Sequence, residues 1–174
     1  MCLERDFDIR RAGLYGLPGR TNNCGTFRGM VNFELGDDHR LLEQSVREWA
    51  AREVAPRIHD LDRAHHFDRS ILTQMASLGL LGISVPVEYG GAGMDYISLG
   101  LACEELEYVD TSLRVIMSVH AGLNSLTLLS WGTEDQKQRY LAPQAQGAKI
   151  ASYGLTEPSA GSDARGIQSV AIKR

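Results

Sequence analysis

Cysteine is scarce in this chain of 174 residues, and Cys2, Cys24 and Cys103 form neither an even disulfide set nor a metal-ligand spacing. A disulfide-built scaffold is therefore excluded, and a reducing compartment is the simplest setting. Basic runs are lacking too: no stretch of Lys and Arg exceeds two residues, and the formal net charge is -4. Nucleic-acid binding needs a clustered basic footprint, so no nucleic-acid partner is expected. Long apolar runs are missing as well. None approaches the roughly 18 residues of a membrane span, and no span is expected. Residues 1–29 lack the apolar stretch of a secretory signal, while Glu4, Asp6 and Asp8 argue against an acid-poor transit peptide. That segment, rich in Arg and Gly, shows neither helical nor strand periodicity. It is read either as a disordered tail or as an extension preceding a true start at Met30.

What is present is helical patterning, with 43% hydrophobic residues and 23% charged, enough for one domain or one and a fraction. Leu42, Val46, Trp49, Ala50, Val54, Ile58 and Leu61 make one amphipathic stripe, opened by Asp37 or Asp38 as N-cap and interrupted near Val54 by Pro56. Asp68 can cap a second helix carrying Ile71, Leu72, Met75 and Leu78, closed by Gly79 and packed on the first. Residues 80–94, with Pro86 and several glycines, read as an extended connection. Asp95 can cap a third helix through Ile97, Leu101, Glu105 and Tyr108. A fourth, about 111–130, is apolar nearly all round and is expected to be buried at the centre of a bundle. Thr133 with Gln136 forms a capping-box pattern for another. Only 149–153 and 167–172 look strand-like.

Several constellations fail on their spacing. His59, His65 and His66 match no metal-binding pattern, and no metal is expected. Gly90-Gly91-Ala92-Gly93 lacks the order of a dinucleotide fingerprint. Glu157-Pro158-Ser159-Ala160-Gly161 has only the second half of a nucleophile elbow, with Glu157 where the first glycine is needed. Glu104, Glu105 and Glu107 are expected in solvent-facing or salt-bridged roles. Arg114 and His120 lie in the helix expected to be most buried. There Arg114 pairs with Glu107 or Asp110, and His120 with a backbone carbonyl, unless they serve a ligand. The densest polar run is Tyr153-Gly154-Leu155-Thr156-Glu157-Pro158-Ser159-Ala160-Gly161-Ser162-Asp163-Ala164-Arg165-Gly166. Gly161 and Gly166 permit close approach and positive φ, and the hydroxyls of Thr156, Ser159 and Ser162 sit beside backbone amides. Such a run is an ordinary turn or a loop built to hold a polar ligand.

The order Leu-Thr-Glu-Pro-Ser-Ala-Gly-Ser-Asp resembles the signature of the acyl-CoA dehydrogenase family. Val85-Pro86-Val87-Glu88-Tyr89-Gly90-Gly91-Ala92-Gly93, Cys103-Glu104-Glu105-Leu106 and the run from Trp131 to Leu141 support it in family order. The resemblance covers about Met30 to Arg174. It implies a mainly α chain: the N-terminal helical domain (30–150) of an acyl-CoA dehydrogenase-like fold, ending at the start of a middle β-domain (151–174). It implies FAD as cofactor, with Tyr153, Leu155, Thr156, Gly161 and Ser162 as flavin contacts. Ser162 is also an expected acyl-CoA contact, with Arg114, Met117 and Ser118 lining the acyl site. Arg114 and its neighbours are similar to the segment of glutaryl-CoA dehydrogenases that reads a free carboxylate. The implied reaction is α,β-dehydrogenation of acyl-CoA thioesters in fatty-acid or amino-acid catabolism, with electron-transfer flavoprotein as acceptor. The setting is cytoplasmic, or the mitochondrial matrix in a eukaryote, and the full-length protein is a homodimer or homotetramer. No residue here matches the family's catalytic carboxylate, so the chain alone is expected to be inactive. The competing reading is a helical interaction module without catalysis.

Overall fold

The apolar stripe from Leu42 to Leu61 becomes one continuous rod in the computed structural model, which describes residues 34–172. The readings made for residues 1–29 lie outside the described residues. The rod consists of α1 (Asp37–Trp49), a π-helical segment (Ala50–Val54) and α2 (Ala55–Arg63). Its N-cap is Gly36, so Asp37 and Asp38 occupy the first turn rather than the cap and favour the positive end of the helix dipole. Pro56 causes no sharp break. The ladder widens before it, the Ala55 N–H reaching Ala50 O five residues back, and Pro56 then lies in the first turn of α2, where its missing donor costs nothing.

Asp68 prepares α3 (Ser70–Ser77): its Oδ1 accepts from Ser70 N at 2.8 Å, and its Oδ2 pairs with Arg57 Nη1 at 2.8 Å. Gly79 closes the helix at φ 75°. Trp49 Nε1 donates to Gln74 Oε1 at 3.0 Å, tying α3 to α1. Residues 80–94 are not an extended connection. They turn twice, at Leu80–Gly82 and Val87–Tyr89, and fold back so that Ala92 N, Gly93 N and Met94 N donate to Gly82 O, Val85 O and Ile83 O. Leu80, Leu81, Ile83 and Val85 are consequently buried. Gly91 makes this possible, since a Cβ there would overlap the Val85 carbonyl.

Asp95 caps α4 (Tyr96–Val109), accepting from Ser98 N at 2.8 Å and Ser98 Oγ at 2.9 Å. Those bonds, with His39 beside it, hold its carboxyl down at about 2. The buried face of α4 is Ser98, Ala102, Glu105 and Leu106, whereas Ile97 and Tyr108 are exposed. Glu105 turns inward because Arg47 meets it with two bonds, Nε to Oε2 at 2.9 Å and Nη2 to Oε1 at 2.6 Å. Asp110 then caps a second rod: α5 (Thr111–Met117), a π-helical segment (Ser118–Ser125) and α6 (Leu126–Trp131). This rod is not buried all round. Leu113, Met117, His120, Ala121 and Ser125 face inward, while Val115, Leu123 and Trp131 are exposed.

Thr133 and Gln136 form the expected reciprocal capping box at α7 (Glu134–Gln136), followed by a π-helical segment (Lys137–Leu141) and α8 (Ala142–Ala145). Tyr89 Oη donates to Glu134 Oε2 at 2.9 Å, fastening the folded-back segment to α7 and pushing the phenol up to about 12. The main core gathers Val46, Val54, Ile71, Met75, Leu81, Leu106, Leu113 and Met117, and a smaller cluster joins Val85, Tyr89, Leu141 and Ala145. The described residues are thus mainly α. Neither 149–153 nor 167–172 is a strand: a ladder needs a neighbouring strand to exchange hydrogen bonds, and among the described residues none runs beside either segment. No helix of the described residues is long and apolar enough to cross a membrane.

Candidate functional site

The polar run after α8 leaves the helices along residues 149–152, anchored by hydrogen bonds at Lys149, Ala151 and Ser152. Lys149 N donates to Pro143 O at 3.1 Å, Ala151 N donates to His120 Nδ1 at 3.0 Å, and Asn124 Nδ2 donates to Ser152 O at 3.3 Å. Beyond Ser152 the chain stands clear of the core, and Tyr153, Leu155, Thr156, Gly161 and Ser162 are all exposed. Pro158 sits second in a four-residue turn, where its fixed φ suits the geometry: Ala160 N donates to Glu157 O at 3.1 Å, and Glu157 N donates back to Ala160 O at 2.9 Å. Ala160 alone in this stretch is buried.

The turn is braced by its own acid. Glu157 Oε1 accepts from Ser169 N at 3.0 Å and Oε2 from Gln168 N at 2.8 Å, folding residues 168–169 back across the turn. These bonds, Ser169 foremost, hold the Glu157 carboxyl below the usual range. Glu157 is therefore an organiser of the loop, and among the described residues none is hydrogen-bonded to the Ser159 hydroxyl. Asp163 Oδ1 accepts from Arg165 N at 3.2 Å and starts a 3₁₀ turn at Ala164–Gly166. Gly161 and Gly166 do not take positive φ. An added Cβ at Gly154 or Gly161 would meet nothing within 4 Å, so these glycines border open space.

The loop on either side of this turn is rich in uncommitted groups. Among the described residues, the side chains of Tyr153, Thr156 and Ser162 make no hydrogen bond, and the backbone N–H groups of Leu155, Thr156, Gly161 and Ser162 have no acceptor. Five sequence-predicted residues thus share one exposed ledge. The other three lie on α5 and the π-helical segment that follows. Arg114 Nε donates to Glu107 Oε2 at 2.6 Å, as the pairing reading required, but the pair is half-exposed rather than deeply buried. Ser118 Oγ donates to Val115 O, and Met117 is fully buried in the main core. No hydrogen bond or ion pair links Arg114 or Ser118 to residues 153–162. Sequence reasoning missed the loop's supports, Asn124 and Glu157, and placed His120 only against a carbonyl. Their partners lie 11 to 31 residues away, and no local pattern marks them.

Fold and loop together define a helical domain that presents a backbone-rich polar ledge beside its last helix. The model of the acyl-CoA dehydrogenase N-terminal domain matches residues 36–148. The chain is 42% identical over 142 residues to the short-chain specific acyl-CoA dehydrogenase of Clostridium acetobutylicum, covering 82% of this chain and 38% of that relative. It superposes on butyryl-CoA dehydrogenase from Megasphaera elsdenii with a TM-score of 0.74 at 32% identity, covering 79% of this chain and 37% of that one. For glutaryl-CoA dehydrogenase from Mycobacterium smegmatis in complex with FADH2 the TM-score is 0.72 at 32% identity, over 77% and 34% of the two chains. The chain spans less than two fifths of the length of each of these proteins. It belongs to the acyl-CoA dehydrogenase family, through that family's N-terminal helical domain.

Proposed function

We propose that this chain is the N-terminal part of a flavoenzyme that α,β-dehydrogenates acyl-CoA thioesters. In that reading 30–150 is the helical domain and 151–174 the start of a β-domain. The observation that carries it is the ledge at 153–162, where unpaired donors and hydroxyls face open space while both ends are tied down. Such a surface fits a flat heteroaromatic ring with acceptor atoms along its edge. Leu155, Thr156, Gly161 and Ser162 would hold the ring through backbone N–H groups and the Thr156 hydroxyl, Tyr153 would cover it, and Ser162 would also meet the thioester substrate. FAD, when bound, supplies the two-electron acceptor for the hydrogen leaving the β-carbon.

The described carboxylates nearest in kind to a catalytic base are engaged elsewhere: Glu105 with Arg47, Glu107 with Arg114 and Thr111, Glu134 with Tyr89 and Gln138, and Glu157 with its own loop. None is assigned as the base. Among the described residues Arg114 bonds Glu107 through Nε alone, leaving its two terminal nitrogens uncommitted, and this favours its use as an anchor for a carboxylate-bearing acyl group, with Ser118 beside it and Met117 supporting the wall from the core. The electron acceptor would be an electron-transfer flavoprotein, and the working assembly a homodimer or homotetramer. A second reading, a helical module without catalysis, draws on the exposed apolar side chains of the helices, Tyr96, Ile97, Tyr108 and Trp131 among them.

Titrating FAD into the isotope-labelled chain separates the two. Saturable amide shifts confined to 153–162 are expected, weakened about threefold to tenfold by Thr156→Val through loss of one hydrogen bond. Absence of saturation, or shifts elsewhere, would remove the flavin reading and leave the module.

A further inference from the structure

His120 is fully buried, yet both of its ring nitrogens are used, and by partners of opposite kind. Nε2 lies 3.1 Å from Gln144 O, which can only accept, and Nδ1 lies 3.0 Å from Ala151 N, which can only donate. One tautomer satisfies both: the proton is on Nε2 and the Nδ1 lone pair receives the Ala151 amide. A charged ring would turn an N–H against the Ala151 N–H. The neutral ring therefore bridges the π-helical segment at Ser118–Ser125, the last turn of α8, and the chain two residues before Tyr153. One helical turn on, Asn124 Nδ2 takes Ser152 O, so the same helix face grips the neighbouring residue. Asn124 Oδ1 is enclosed without a donor, which offsets much of what its amide contributes and leaves His120 as the stronger arm. Both arms hold backbone atoms. Among the described residues, the side chains of Tyr153, Thr156 and Ser162 are left free.

We infer that His120 is the positioning residue of the 153–162 ledge: through its Nδ1 bond to Ala151 it fixes where that ledge stands against the helices, without touching the ligand. The effect on ligand affinity rests on the flavin reading above, whereas the positioning itself does not.

The test compares His120→Phe, which fills the space and removes both bonds, with His120→Gln, whose amide can donate to Gln144 O and accept from Ala151. Amide hydrogen exchange at Ala151 reports the clamp, exchange at Leu106 reports global opening, and amide shifts across 153–156 report the ledge. In His120→Phe, exchange at Ala151 should accelerate at least tenfold more than at Leu106, the 153–156 amides should move, and FAD affinity should fall threefold or more. His120→Gln should restore most of each. Equal acceleration at Ala151 and Leu106 would reduce His120 to ordinary core packing, and unmoved 153–156 amides would overturn the inference. If the unaltered chain binds no FAD, the flavin reading falls while exchange and shifts still judge the clamp. If His120→Phe does not fold, the ring nitrogen spectrum of the unaltered chain decides: a protonated Nε2 with bare Nδ1 upholds the inference, and the other tautomer or an imidazolium at neutral pH refutes it.

Discussion

Residues 35–147 and residues 148–172 of this chain hold their shapes by different means. In the helical part, Val54, Met75, Leu81, Leu106 and Met117 are wholly removed from water, and helix ends are closed by Asp95, Asp110 and Thr133. Burial at about 25 cal/mol per Å² of apolar surface is the main favourable contribution to that part. The ledge buries one alanine and depends on a few bonds from side chains to backbone: His120 and Asn124 at its entry, Glu157 at its exit. Outside the hydrogen-bonded turn at Glu157–Ala160, such a segment keeps its donors available for another molecule. The cost is that its order rests on individual groups, so single substitutions there should alter recognition more than stability.

The largest expected effect follows from the core. Leu106→Ala should lower the unfolding free energy by about 2–5 kcal/mol, the range for a fully buried leucine, measured by urea denaturation. Leu155→Ala, on the ledge, should stay within about 0.5 kcal/mol. Equal losses at the two sites would erase the contrast between the regions.

Gly147, where the helices give way to the ledge, should come next. Its φ is 74°, and an added Cβ would overlap that of Ala76, so this glycine seats the end of α8 against α3. Gly147→Ala combines a left-handed alanine with overpacking and should cost about 1–3 kcal/mol by the same measurement. A neutral result would show that α8 can leave α3 freely and that the entry to the ledge is looser than its bonds suggest.

The legible features were those written within a few residues. Asp95 and Thr133 cap the helices they precede, because an N-cap needs only an acceptor and a free N–H two or three positions on, whereas α3 has Arg69 at its N-cap and Asp68, one residue earlier, accepts from Ser70 N. The polar run at 153–162 could be singled out for the same reason, its hydroxyls and glycines being adjacent in the chain. Features set by distant partners were not legible. Residues 80–94 look extended until Gly82, Ile83 and Val85 are seen to accept from Ala92, Met94 and Gly93. Glu105 takes the salt-bridged of its two expected roles, but its inward turn and its partner Arg47, 58 residues earlier, are not written nearby in the chain. The rod from Thr111 looked buried all round because its sequence carries apolar side chains on every face, while the described residues cover only one of them. The ledge's supports were hidden in the same way, since neither a lone histidine in a helix nor a glutamate before a proline announces which backbone amide it will hold.

The smallest and most local effect should come from Glu157. Hydrogen bonds from Ser169 and Gln168 favour its charged form and depress its folded-state value below the ordinary 4.5. A depressed carboxyl contributes order that is present above the ordinary value and is lost as pH falls through the folded one. The Gln168 and Ser169 amides should therefore titrate together with a midpoint below 4.5, while the Leu106 amide stays still. In Glu157→Gln both amides should be flat over that range and already displaced at neutral pH, because a neutral amide oxygen accepts more weakly than a carboxylate. Titration surviving in the variant would show that Glu157 is not the group that holds these two amides. A shift of the Leu106 amide over the same range would mean that ledge and core unfold together, and the two regions would then have to be treated as one cooperative unit.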